Sequence, residues 1–451
     1  MEPGHLLRLV TRLSLPAILA QLSTIAMQYI DASMVGRLGA GETASIALVT
    51  TTIWLLSGIC RGTFAGFTVL TAQYIGAGEE KTARNIMKEG LVIAEAVAFA
   101  FLLIGAAVSG ALPRWLGGEE ALCGDASAYL LICALALPVA QLNEAAAGML
   151  QASGNMRTPS LLHILMCLLD VVFNLLLIFP SRVIGGVAIP GAGLGVAGAA
   201  LGTALAQFCT AGLMLACLLL RSPILHLRRG EKLQMQKSHI RRAIRISVPV
   251  CVEETVLCSA QIASTAIVAP LGTISIAAHS FAITAESLCY MPGYGIGEAA
   301  ATVIGQSIGA RREELTQHIG YLLVGLGVAV MTVSGALMYW AAPWMIGILS
   351  PDAAVIALGA AMLRIEAFAE PLYAASIVAS GVFRGAGDTL KPSLMNFCSM
   401  WLVRLPMAAI LSNRIGLRGV WIAMCIELCF RGTIFLVRLF RGHWKKLVTL
   451  S

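Results

Sequence analysis

Gln21, Thr24, Gln28 and Asp31 stand at i, i+3, i+7 and i+10 within an otherwise apolar run. On a helix that spacing gathers them on one face. Another apolar run is interrupted by His163, Asp170 and Asn174, the last two one turn apart. A third carries Gln141, Glu144, Gly148 and Gln151 on one face, with Asn143 beside them, and Arg61 stands in the middle of a fourth. The later part of the chain supplies Glu253 and Glu254, Glu286 with Tyr290 one turn on, Glu298, Glu366, Glu370, and Glu427 four residues before Arg431. Desolvation disfavours the charged form of a carboxyl group, which lets it load and release a proton. As an anion the same group attracts a cation. Two ligands competing for one carboxylate are enough for exchange.

The runs that hold these residues set the fold class. Of 451 residues, 58% are hydrophobic and only 12% charged, with a mean hydropathy of +0.83. Soluble domains carry about 25% charged residues, and a helix needs about 20 apolar residues to span a bilayer. We expect an all-α polytopic membrane protein with twelve transmembrane helices. The spans are 9–35, 43–75, 89–111, 125–150, 159–180, 194–220, 244–270, 276–308, 319–341, 354–382, 392–412 and 417–437. Pro16, Pro138, Pro249, Pro292 and Pro371 fall inside spans, where proline removes a hydrogen bond and permits bending.

A charge at mid-bilayer costs at least about 2.5–3.5 kcal/mol. Each intramembrane ionisable residue therefore needs a partner or a water-filled cavity. Arg61 cannot lose its proton, and Asp31, Glu144 and Asp170 are its candidate partners. Asp31 lies near the end of its span and could instead reach the interface, and Asp170 could serve as a structural hydrogen-bond acceptor. Glu366 reads as a local pair with Arg364, and Glu427 with Arg431 as a pair on one helix. Glu254 and Glu286 are the best functional candidates of the second half.

The chain is a duplication. An offset of 233 residues aligns Ser14-Leu15-Pro16 with Ser247-Val248-Pro249, and Gln73-Tyr74-Ile75-Gly76-Ala77 with Gln306-Ser307-Ile308-Gly309-Ala310. Ungapped, 14–77 and 247–310 share 14 identities in 64 positions, where chance in this composition gives about 5. Six spans per repeat, an even number, make the two lobes parallel repeats, pseudo-symmetric about an axis along the membrane normal. The expected organisation is an N-lobe at 1–220, a basic cytoplasmic linker at 221–243 and a C-lobe at 244–451.

The net charge of +7 follows the membrane rather than nucleic acid. With the N-terminus inside, 22 of the 31 Lys and Arg fall on the cytoplasmic side, including Arg229, Lys445 and Lys446, against 5 outside. That asymmetry places both termini in the cytoplasm. Arg8 and Arg12 before an apolar run imitate a signal peptide, but the run carries Asp31 and its counterpart recurs inside the chain. The twelve cysteines form no C-x-x-C pair, so neither a disulfide framework nor a metal site is expected. H-E-x-x-H, P-loop and G-x-S-x-G motifs are absent, which argues against an enzyme and against ATP-driven transport within this chain.

Segments along nearly the whole chain resemble the multidrug and toxic compound extrusion (MATE) family. They are Ser14-Leu15-Pro16, Ile30 to Gly36 with Leu38-Gly39, Ala72 to Gly78, Ala277-Ala278-His279, Met291-Pro292-Gly293, Gly305 to Ala310, and Arg384 to Thr389 before Pro392. The resemblance implies two six-helix lobes forming a V-shaped cavity. It also implies export of organic cations or other toxic compounds against inward H+ or Na+ flow, with no cofactor. The family's first-span coupling aspartate matches Asp31. Its fifth span often has Asn and then Asp four residues on, whereas here Asp170 precedes Asn174.

The expected function is a secondary antiporter of the bacterial inner membrane, acting as a monomer by alternating access on small amphiphilic, cationic compounds. Its coupling site would be Asp31, Asp170, Asn174 and Gln28. Candidates for the substrate cavity are Gln21, Arg61, Asn143, Glu144, Glu254, Glu286 and Tyr290. The alternative is a related flippase for lipid-linked sugars, which would need a strongly basic cavity. The available arginines are Arg61, Arg364, Arg404 and Arg431.

Overall fold

The computed structural model describes residues 3–184, 187–228, 230–442 and 444. Arg229, Lys445 and Lys446 lie outside the described residues. In chain order the helices are α1 (Pro3–Gly36), α2 (Ala40–Gly76), α3 (Glu80–Val108), the short α4 (Leu112–Trp115), α5 (Glu120–Ala152) and α6 (Arg157–Leu177). A hairpin of β1 (Pro180–Ile184) and β2 (Val187–Ala192) follows, then α7 (Gly195–Ala216) and α8 (Lys237–Val268). The chain continues through α9 (Thr273–Gly309), α10 (Glu313–Leu349), α11 (Ala353–Ala367), α12 (Glu370–Gly385), α13 (Leu390–Cys398), α14 (Leu405–Ile415) and α15 (Leu417–Arg441). A π-helical segment at Ser399–Arg404 joins α13 to α14.

The protein is thus an all-α polytopic membrane protein with one small β-hairpin between α6 and α7. Ten of the described helical stretches are long and apolar enough to cross a bilayer. The eleventh crossing is α9, 37 residues long, which carries buried His279 and Glu286. The twelfth is α11 and α12 in series. Pro16, Pro138, Pro249 and Pro292 sit inside continuous helices. Only at Pro371 does the chain break: α11 stops at Ala367, and α12 restarts at Glu370 with the proline in its first turn, where no amide is needed.

The helices group into two compact units. One comprises residues up to 22, 72–78 and 252 onward. Its core runs through Met338, Leu363, Trp421 and Leu428, and through Ile296, Phe383, Phe435 and Trp444. The ends of α2 and α9 cross within it. A Cβ on Gly76 would lie 1.9 Å from the Gln306 carbonyl oxygen, and one on Gly309 would lie 1.8 Å from that of Gln73. The duplicated Gln-x-x-Gly motif therefore packs against its own copy. Gln73 also donates from Nε2 to the Gly385 carbonyl at 3.1 Å.

The second unit comprises 23–71 and 79–251. The polar stretch before α8 is strapped to the start of α3 in this unit. Arg84, only 2% exposed, grips Glu231 with Nη2 at 2.8 Å and Nε at 2.9 Å. Asn85 donates to the Gln234 carbonyl at 2.8 Å, and the Gln236 amide donates to Glu89 at 2.7 Å. The Arg84 guanidinium holds the Glu231 carboxyl below the usual carboxylate range. The pair's contribution is therefore present at neutral pH and is lost as pH falls through that lowered value.

Candidate functional site

In the second unit, α1 and α6 bring Asp31, Asp170 and Asn174 together. The Asn174 amide nitrogen donates one hydrogen to Asp31 Oδ1 at 2.8 Å and the other to Asp170 Oδ2 at 3.1 Å. Asp170 and Asn174 are four apart on one helix, which puts both on the face toward α1. Asp170 and Asn174 are 0% exposed, and Asp31 is half-buried. The Thr203 hydroxyl on α7 donates to the Ala199 carbonyl of its own helix at 3.2 Å. Asp170 Oδ1 and Asn174 Oδ1 receive no hydrogen bond among the described residues. The cluster thus offers oxygen donors, the ligand type that suits a proton or a hard cation.

The polar stripe of α1 serves two places. With 34 residues, α1 is about 51 Å long. Its lower part puts Gln21 against Glu298 in the first unit, at 2.8 Å, and its upper part carries Asp31 to Asn174. Gln28, expected with Asp31, does not join the cluster. It is exposed, and no described residue hydrogen-bonds to it.

The expectation missed Gly202 on α7. A Cβ at Gly202 would stand 2.0 Å from Asn174 Oδ1, and one at Gly198 would stand 2.5 Å from the Leu177 carbonyl. Gly198-x-x-x-Gly202 is the small-residue spacing that lets two membrane helices approach closely, and that motif was the available signal. Gly202→Ala is expected to destabilise the protein. Helix propensity favours alanine by about 1 kcal/mol, but overpacking costs about 1–3 kcal/mol. A lowered melting temperature of the purified protein would show it, and an unchanged or raised one would contradict it.

Other expected site residues are placed as follows. Asn143 is buried on α5, with its amide 3.7 Å from Met166 Sδ, and Gln141 donates to the Cys60 carbonyl at 3.1 Å. Glu144 and Arg61 are exposed. Two of the carboxylates proposed as partners for Arg61, Asp31 and Asp170, are engaged by Asn174. Glu254 is half-buried on α8. Its neighbour Glu253 accepts from Ser393 at 2.8 Å and Asn396 at 2.5 Å. Glu427 and Arg431 pair as expected, Nε to Oε1 at 2.9 Å and Nη2 to Oε2 at 3.0 Å.

In the first unit Glu286 meets Glu366 and Glu370. One carboxylate oxygen from each lies within 4.8 Å of the others, and all three residues are buried. The expected Glu366–Arg364 pair does not form. Residues two apart on a helix point to different sides: Glu366 turns inward, while Arg364 turns outward and donates from Nε to the Tyr339 carbonyl at 3.3 Å. Tyr290 packs one turn along α9 from Glu286, with ring centroids 5.9 Å from Tyr294 and 5.7 Å from Tyr373. Three carboxyls this close require positive charge among them, as protons or as a cation.

Comparison with known proteins bears on the family of the whole chain. The MatE family model matches residues 16–176 and 249–410, two stretches that begin 233 residues apart. A probable multidrug resistance protein NorM of Thermotoga maritima is 25% identical over 450 residues, 98% of this chain and 93% of that protein. Its namesake in Pseudomonas syringae pv. tomato is 27% identical over 439 residues, 93% of this chain and 91% of that one. Among solved structures, a MATE in complex with MaL6 superposes with a TM-score of 0.90 at 19% identity, covering 99% of this chain and 100% of that one. An outward-facing multidrug resistance MATE family transporter of the MOP superfamily gives 0.89 at 19% identity, covering 99% of each chain.

Proposed function

Because the chain belongs to the MATE family of membrane transporters and is not an enzyme, we propose that it exports amphiphilic, cationic drugs or toxic metabolites in exchange for H+ or Na+. The observation that carries the coupling role is the Asp31, Asn174 and Asp170 cluster, two carboxyls bridged by one buried amide. Its ion and the outgoing compound take turns, and alternating access exposes the cavity to one side of the membrane at a time. The NorM names of the relatives support small-molecule export. Both termini face the cytoplasm, the lobes follow the repeats at 1–220 and 244–451, and the working unit is a single chain in the bacterial inner membrane.

The test is reconstitution in proteoliposomes with a fluorescent organic cation. A pH gradient and a sodium gradient are imposed separately. One of the two is expected to drive uphill movement of the dye, which identifies the coupling ion. Equal transport with both gradients collapsed would refute antiport.

A further inference from the structure

We propose that a groove between α10, α11 and α15 seats an anionic phospholipid, with its phosphate on Arg364 and an acyl chain along Phe368 and Ile426. The groove has a volume of 280 Å³, and its lining includes Tyr339, Arg364, Phe368, Ile422 and Ile426. Arg364 is exposed within it. Its Nε donates to the Tyr339 carbonyl, and its guanidinium carbon lies 5.6 Å from the Tyr339 ring centroid. Among the described residues no carboxylate forms an ion pair with Arg364. A guanidinium has five donors and cannot be deprotonated in a protein. Held in a membrane-spanning helix, it calls for an anion.

The depth of the groove identifies the source of that anion. α10 has 37 residues, and Tyr339 lies eight past its midpoint, about 12 Å along the axis. With the middle of α10 set at the bilayer midplane, this level is close to the edge of a hydrocarbon core about 30 Å thick. Trp340 and Trp344, 81% and 69% exposed, follow on α10, as tryptophans do at a membrane interface. Arg364 therefore sits just below headgroup level and can extend its charge to a lipid phosphate.

One turn deeper the wall becomes apolar. Phe368 is 73% exposed and Ile426 45% exposed, a surface that a hydrocarbon chain covers and a free inorganic anion does not. Head and tail thus find their partners in the order in which a lipid of that leaflet presents them. The proposal concerns the lipid-facing surface and does not depend on what is transported.

Native mass spectrometry of the detergent-purified full chain tests this, with phosphatidylglycerol and diacylglycerol of identical acyl chains, the second lacking the phosphate. Wild type is expected to retain phosphatidylglycerol at least about tenfold better, the scale of one charge-assisted hydrogen bond. Arg364→Gln should bring the two lipids level, Arg364→Lys should keep part of the preference, and Phe368→Ala should weaken both lipids alike. An undiminished preference in Arg364→Gln would overturn the proposal. So would competition by inorganic phosphate at equal concentration, or a dimer that excludes lipid in wild type and is lost in Phe368→Ala.

Discussion

Asp170→Asn is expected to abolish gradient-driven export while leaving the protein folded. Asparagine has nearly the shape of aspartate, and its side-chain oxygen can still accept the Asn174 amide hydrogen that now reaches Asp170 Oδ2 at 3.1 Å. The packing of α6 on α1 and α7 is therefore kept. What disappears is the negative charge and the capacity to exchange a proton or cation. Asp31→Asn removes the other half of the pair and should have the same effect, because Asn174 bridges both carboxyls. A loss of at least about 10–100-fold is expected, the range seen when groups around an ion site are altered. Rates are read in proteoliposomes under the driving gradient, alongside melting temperatures. Facilitated movement of the dye down its own gradient should persist. If both variants exported uphill at the wild-type rate, Asp31 and Asp170 would not be the coupling groups.

Much of that cluster was legible in the sequence because a membrane makes polarity conspicuous. Asp170 and Asn174 stand out in an apolar run, and Asp31 ends a polar stripe. The stripe misled over Gln28, since a helix of about 51 Å meets different neighbours along its length. The second cluster was less legible. Glu286 stands out as a lone intramembrane acid, but Glu366 lies two residues from Arg364 and reads as its partner. Which side of a helix packs inward is set by tertiary contacts, and in α11 they turn Glu366 toward Glu286 and Glu370. Positions occupied by glycine were the least legible. Gly202 carries no chemistry of its own, yet it leaves the space that Asn174 Oδ1 occupies. The break before Pro371 could not be told from the four prolines that sit in continuous helices, because each has the same local signature.

The same reasoning gives the largest expected effect on stability, at the crossing of the two Gln-x-x-Gly motifs. Gly76→Ala would place a methyl 1.9 Å from the Gln306 carbonyl oxygen, and Gly309→Ala would place one 1.8 Å from that of Gln73. Both obstacles are backbone, so no rotamer change relieves them and the helix ends must separate. Each substitution is expected to cost about 3 kcal/mol, at the upper end for overpacking, and to weaken the Gln73 hydrogen bond to Gly385. Gly325→Ala on α10 is the control. Its Cβ would meet nothing within 4 Å, so the change should be neutral or stabilising by up to about 1 kcal/mol. The double variant distinguishes this mechanism from two independent defects. Separation forced by the first methyl also makes room for the second, so Gly76→Ala with Gly309→Ala should lose clearly less stability than the two losses added together. Thermal or denaturant unfolding of the purified variants measures all four. Additive losses would mean that the duplicated motifs do not share one contact. A sub-additive loss would show that the repeat is maintained at this crossing by mutual steric need, since each copy leaves the space the other fills.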